Sequence, residues 1–227
     1  MKWNNKFTYP KSTRSIISGS RHYALDGSNL PSVTTILKAT QSEEDKAGIA
    51  AWKERVGHAE AERIKNEASS RGSSMHSYIE QFILGKMNLD LLEEENQSKS
   101  MAEEIIDNGL KNKLNEVWGA EATVYYPGKY AGTADCIGLY EGRETILDFK
   151  QSNKPKKEEY IEDYFLQLGA YSLAHNSVYN SNITQGIILV CTVDRLFQDF
   201  KIEGNELINF QNKFLERVEQ FYHQINK

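Results

Sequence analysis

Cysteine is nearly absent from this sequence of 227 residues, with two in all. Cys136 and Cys191 stand apart in apolar, strand-like surroundings, so neither a disulfide framework nor a four-cysteine zinc or iron–sulfur site is available. They read as buried free thiols of a reducing compartment. No run approaches eighteen apolar residues, which excludes a transmembrane helix and argues against a membrane partner. Met1 to Ser20 lacks the apolar stretch of a secretory signal. Internal repeats and low-complexity segments are missing, as are helix-turn-helix and zinc-finger patterns, so a sequence-specific DNA reader is not indicated. Carboxylates are missing from two stretches that are rich in cations. Met1 to Leu25 holds Lys2, Lys6, Lys11, Arg14 and Arg21 without an acid, and Lys150 to Lys157 holds Lys150, Lys154, Lys156 and Lys157 without one.

What remains is ordinary globular material. At 39% hydrophobic, 11% aromatic and 26% charged, the chain can bury one sizeable core, and its length predicts one domain with a helical elaboration. The net charge of −5 argues weakly against nucleic acid when taken alone, although the two basic stretches offer local anion sites. Pro31 followed by Ser32, Val33 and Thr34 marks the end of an irregular N-terminal section and the entry to a helix. Helical patterns follow over 43–68, 73–84 and 93–118, with Ser69, Ser70 and Gly72 as a break and Gly109 as a weak point. Extended runs are predicted over 121–126, 130–140 and 145–150. A helix follows over 155–175, then two strands over 183–193 and 196–202, and a last helix over 205–225. The order is that of an α+β or mixed α/β domain.

The segment from Thr133 to Lys150 carries the most chemistry. With Glu141-Gly142 as a two-residue turn, residues whose numbers sum to 283 face each other, which sets Asp135 directly opposite Asp148. Alternation puts Lys150 on the face of Asp148 and Phe149 on the other. Ile137, Leu139 and Ile146 share the Asp face, while Cys136, Leu147 and Phe149 line the reverse. A sheet covered on both sides is implied, with two like charges at a partly buried edge. Such charges repel unless a cation lies between them. Lys150 supplies one positive charge. A divalent ion would supply more, and two carboxylates with water suit Mg²⁺ or Mn²⁺. A structural Asp–Lys ion pair at a strand end is the alternative reading of the same residues.

The wider motif order bears on that choice. Glu121, then Gly132-Thr133-Ala134-Asp135, then Ile146-Leu147-Asp148-Phe149-Lys150, then Gln167 and Tyr171 resembles the PD-(D/E)XK nuclease superfamily, and within it the RecB-type branch. Ala134-Asp135 stands where the superfamily name has Pro-Asp, a replacement that this branch commonly shows. The segments Pro31 to Leu37 and Arg71 to Glu80 look like the mitochondrial and phage exonucleases of the branch. The resemblance implies an α+β fold with a restriction-endonuclease-like αβββαβ core, its mixed sheet flanked by helices. A single domain over 1–227 is expected, with an N-terminal irregular segment and helical wall over 1–118 and the catalytic sheet with its flanking helices over 119–227.

It also implies roles. Asp135 and Asp148 would hold Mg²⁺, with Mn²⁺ as a substitute, and the Phe149 carbonyl would add an oxygen. Lys150 would orient the attacking water and stabilise the transition state. Glu121 and His76 are further metal and catalytic candidates. Ser32, Thr34, Glu80, Gln167, Tyr171 and the loop lysines Lys154, Lys156 and Lys157 are substrate-side candidates. Glu80 has a bland reading as a local helix pair, the tyrosine stripe that includes Tyr171 as core or interface, and the lysines as a solvated loop, while Ser32 and Thr34 rest on the resemblance only. The function implied is a sequence-nonspecific exonuclease acting on single-stranded DNA ends, without an iron–sulfur cluster. A double-strand exonuclease of the phage recombination type and a noncatalytic DNA-end binding protein of the same fold remain open. A bacterial or phage-infected cytoplasm is the expected compartment, and the acid-free N-terminus leaves a mitochondrial leader open.

Overall fold

A sheet of six strands divides the molecule into two apolar layers. The computed structural model describes residues 1–25, 27–86 and 96–226. The strands of the large sheet are β1 (Lys2–Trp3), β5 (Leu114–Tyr126), β6 (Tyr130–Tyr140), β7 (Arg143–Ser152), β8 (Gln185–Thr192) and β9 (Phe197–Glu203). They lie in the order β1-β5-β6-β7-β8-β9. Pairing is parallel for β1 with β5 and for β7 with β8, and antiparallel elsewhere, so the sheet is mixed. A second sheet holds β2 (Thr13–Ile17), β3 (Ser20–Leu25) and β4 (Ser28–Pro31).

The helices are α1 (Val33–Ala39), α2 (Glu43–Val56), α3 (His58–Ile83), α4 (Gln97–Ile105), α5 (Glu162–Tyr179) and α6 (Asn205–Ile225). On one face of the large sheet, Ile137, Ile146, Ile188 and Val190 pack with Leu168 and Ala170 of α5 and with Phe214 and Val218 of α6. On the other face, Cys136, Leu147, Phe149 and Leu189 pack with Met75 and Ile79 of α3 and with Met101 and Ile105 of α4. The buried apolar set contributes roughly 1.5–3 kcal/mol for each large side chain before entropy is deducted. The order β5-β6-β7-α5-β8 is the expected mixed-sheet core, and both cysteines are buried and free.

The β6–β7 hairpin has the expected register. Tyr140 pairs with Arg143 and Cys136 with Leu147, both summing to 283. Glu141 and Gly142 both have positive φ, 49° and 80°. That is the two-residue turn whose twist matches that of the strands.

Three expectations are corrected. The N-terminal section is not irregular, since β1 joins the large sheet and β2 to β4 form their own. The break near Ser69, Ser70 and Gly72 is absent, because α3 runs unbroken from His58 to Ile83. The chain turns instead at Gly57, whose φ of 88° suits a residue without a side chain. The third correction concerns the helical reading of 93–118. Residues 93–95 lie outside the described ones. α4 ends in a π-helical turn at Ile106–Leu110, and β5 begins at Leu114. Two register shifts, Leu114/Glu116 and Val117/Gly119, interrupt the two-residue alternation of β5. Leu114, Val117 and Trp118 are therefore buried at i, i+3 and i+4, which imitates helical spacing.

Candidate active site

The large sheet forks between β6 and β7. Their ladder ends at Cys136 and Leu147, although β6 continues beside β5 through Ala134 and Ala122, and β7 continues beside β8. At the fork the Asp135 carboxylate replaces the missing strand partner, with Oδ2 accepting the Phe149 N–H at 2.7 Å. Asp148 lies on the other arm with its side chain 2% exposed. Lys150 Nζ is in ion-pair contact with the buried Asp148 Oδ2.

Glu121 enters from the third strand. Ala120 pairs with Cys136 and Ala122 with Ala134, so Glu121 sits across from Asp135. Its φ of 47° takes it out of strand geometry. A non-glycine residue there carries strain of about 1 kcal/mol or more and aims its side chain away from the regular pleat. Glu121, Asp135 and Asp148 thus stand in a row on β5, β6 and β7.

α3 brings His76 to this row. Its Nε2 lies 2.7 Å from the Phe149 carbonyl oxygen. A carbonyl has no proton to give, so Nε2 is the donor. Nδ1 is then turned toward Asp135 Oδ1 at 3.6 Å and Glu121 Oε1 at 3.9 Å. Burial alone would lower the His76 pKa, but the neighbouring carboxylates of Asp135 and Glu121 outweigh it and raise the ring to about 9. Burial pushes Asp135 upward, and His76 opposes that shift. Burial likewise opposes the charge on Lys150, yet Asp148 and Asp135 hold its pKa above the ordinary lysine value. Lys150 is therefore an ammonium.

The donor set fits a divalent cation. Ligand atoms of His76, Glu121 and Asp135 all lie within 4.8 Å of one another, and the Asp148 carboxylate lines the same cavity. Two like charges 4 Å apart repel by roughly 4 kcal/mol at an effective dielectric near 20. Lys150 and the His76 ring relieve part of that repulsion in the row, and a bound divalent ion would relieve it further. The histidine also has the usual ligand geometry, one ring nitrogen held by a backbone carbonyl and the other facing the acids. Mg²⁺ and Mn²⁺ both accept such oxygen-rich sets.

The row lies in a cavity of about 690 Å³. Of the residues expected from sequence, it collects Asp135, Asp148, Lys150, Glu121, His76, Glu80, Ser32, Thr34, Gln167 and Tyr171. Ser32 caps α1 by accepting the Thr35 N–H at 2.9 Å, and Gln167 donates to the Tyr171 hydroxyl at 2.9 Å. The Tyr171 ring lies against Gly132, where an added Cβ would come within 2.5 Å of it.

Lys154, Lys156 and Lys157 do not line the cavity. Lys154 and Lys156 are tied through their backbone to Ser152 and Gln198, and Lys157 faces Glu159 at 3.6 Å. Besides Lys150, the cavity's cations come from the small sheet, with Arg14 on β2 and Arg21 on β3. Arg14 donates to Thr133 Oγ1 at 2.8 Å and stands 3.9 Å from Glu121. Neither arginine belongs to a sequence motif, and the acid-free run from Met1 to Leu25 is the one signal that points to them.

No protein-family model matches the chain. Among curated proteins it is 27% identical over 216 residues to mitochondrial genome maintenance exonuclease 1 of Xenopus tropicalis, covering 89% of this chain and 60% of that protein. The protein of the same name in Mus musculus is 28% identical over 211 residues, covering 87% and 60%. The chain thus spans about 60% of the length of these relatives. Among solved structures, an alkaline exonuclease from Laribacter hongkongensis overlaps 67% of this chain and 83% of its own, at 14% identity and a TM-score of 0.30. The resemblance read from the motifs is borne out by the curated relatives. The fold rests on the sheet order and the hairpin register.

Proposed function

We propose, from the kinship with the mitochondrial exonucleases and the geometry of the fork, that this chain is a metal-dependent deoxyribonuclease. It would remove nucleotides from single-stranded DNA ends without regard to sequence. The observation that carries the reading is the row Glu121, Asp135 and Asp148 on three neighbouring strands, with the Lys150 ammonium beside it and two arginines lining the same cavity. Carboxylates alone would repel a phosphate. Flanked by cations in one cavity, they suit a site where metal and phosphate bind together.

Glu121, Asp135 and His76 would hold the metal, joined by Asp148 and the Phe149 carbonyl as the family resemblance implies. Once bound, Mg²⁺ or Mn²⁺ supplies Lewis acidity, lowering the pKa of water and neutralising phosphate charge. The residues of the chain do the rest. Lys150, held charged by Asp148, donates to the attacking water and stabilises the negative charge that builds on the phosphorus oxygens. His76 fixes α3 to β7 through Phe149 and keeps Nδ1 turned to the carboxylates. Arg14 and Arg21 neutralise neighbouring phosphates, a sequence-independent contact. Gln167 and Tyr171, linked to each other, meet the strand from α5.

A timed digest tests this. End-labelled linear single strands, duplexes and circles are incubated with Mg²⁺, with Mn²⁺ or with EDTA. Loss of terminal label from linear single strands in either metal, with circles intact and EDTA blocking the reaction, is the expected result. Preferential digestion of duplexes would replace the single-strand reading, and no cleavage of any DNA would leave a binding protein.

A further inference from the structure

We infer that the acid-free N-terminal segment builds a second strand-binding groove that carries unpaired nucleotides away from the catalytic cavity. The segment interleaves cations with aromatics: Lys2 and Trp3, Lys6 and Phe7, Tyr9 and Lys11. Folded, it runs along the edge of β5. It is pinned at one end by the Asn4 N–H on the Val117 carbonyl and at the other by Ser12 against Thr123, 2.9 and 2.8 Å. Between these pins lies a groove of about 540 Å³ whose lining includes Trp3, Phe7, Tyr9, Lys11, Trp118 and Glu121.

Glu121 is the link, because it lines both this groove and the catalytic cavity. The groove and the cavity therefore adjoin at Glu121, and a strand engaged at the carboxylate row would enter the groove there. The lining suits such a strand. Trp3 is 38% exposed, and its indole is held in place by Nε1–H donation to the Ile83 carbonyl at 2.8 Å. A pre-set aromatic face of this kind stacks on any base, provided the base is unpaired. Lys11 is exposed, and it has no carboxylate within 4 Å among the described residues. Among the described residues Glu121 is the one acid lining the groove, and it belongs to the proposed metal site. The chemistry thus favours single-stranded nucleic acid, whose unpaired bases can stack on Trp3, over an acidic peptide, which has no base to stack there, or a duplex, whose bases are already stacked.

This inference rests on the nuclease reading in taking the cavity's occupant as nucleic acid. The test is fluorescence anisotropy with the full chain in EDTA, using fluorescein-labelled oligo(dT) of about 4 and about 16 nucleotides, lengths that bracket a single-strand site. Trp3→Ala should weaken the longer strand about tenfold, the lower range for one lost base stack. Trp3→Phe, which keeps a stacking ring, should recover most of that loss. Lys11→Glu changes a solvated side chain, so the fold stays intact. It should weaken the longer strand by a similar factor and flatten the salt dependence by about 0.7 in log–log slope for the lost phosphate contact. The shorter strand, held by the catalytic cavity, should change less than twofold. Unchanged binding of the longer strand by Trp3→Ala and Lys11→Glu overturns the groove and leaves the nuclease reading in place. Equal losses at both lengths overturn it too. If the parent chain binds neither length and cleaves no strand, both readings fall.

Discussion

The Asp135 carboxylate stands in for a strand carbonyl, accepting the Phe149 N–H at 2.7 Å where β6 and β7 separate. One side chain therefore has two duties. It satisfies a backbone donor at the fork, and it presents its other oxygen to His76 and Glu121.

Those duties separate by mutation. Asp135→Asn keeps an acceptor for Phe149 and loses the charge, so it should fold with near-parental stability and show no cleavage. Asp135→Ala leaves a buried N–H unsatisfied and should cost about 1–3 kcal/mol as well. Urea unfolding alongside a digest checks both. Equal stability of the two variants would contradict the stand-in role.

Lys150 and Asp148 form a buried pair whose worth lies in the intact couple. Removing one partner strands a charge, so Lys150→Met should destabilise by about 3–5 kcal/mol and abolish cleavage. Adding Asp148→Asn removes the stranded charge and should restore much of the stability with no return of activity. Strictly additive losses in the double variant would show that the two side chains do not compensate each other.

Glu121 trades stability for position. At φ 47°, glycine is easier than glutamate by about 1 kcal/mol. Glu121→Gly should therefore be more stable than Glu121→Gln, which loses the same charge and keeps the strained backbone. Both should lose most cleavage activity. A Glu121→Gly protein that melts well below Glu121→Gln would refute the strain.

A pH effect on stability should come from outside the site. His175 has no exposed surface, and it is hydrogen-bonded between Tyr9 at 3.1 Å and Ser181 at 2.7 Å. Burial lowers its pKa to about 4; Glu144 opposes the shift and Lys6 adds to it. In the unfolded chain the ring has a pKa of about 6.5. Its contribution is complete above that value. As pH falls, the unfolded chain takes up the proton first, so stability is lost between pH 6.5 and about 4. Roughly 2 kcal/mol should disappear between pH 7 and 5. His175→Gln should lack that component in urea titrations at the two pH values, and an identical slope in both proteins would show that His175 is not its source.

Much of the fold and the site is legible in the sequence because it is local. Glu141-Gly142 sets the hairpin turn, the turn sets the 283 register, and the register alone places Asp135, Asp148 and Lys150 together. Parity then assigns Ile137 and Ile146 to one layer and Cys136 and Leu147 to the other. The last helix, with its stripe from Leu207 to Phe221, follows from spacing alone. These readings need only neighbours in sequence and the fixed periods of strand and helix.

The rest needs the assembled fold. The bulges of β5 make Leu114, Val117 and Trp118 look helical, and only pairing with β1 and β6 shows them as strand. The positive φ of Glu121 arises within β5, opposite Asp135 on β6, and has no marker in its own residue type. Arg14 and Arg21 reach the cavity because β2 and β3 are carried there beside β6, far from them in sequence. The lysines of 154–157 are close to Lys150 in sequence and still miss the cavity, since the chain leaves β7 there and turns them to solvent. Local order wrote the carboxylate hairpin. Which cations face it was decided by long-range packing, which no spacing rule encodes.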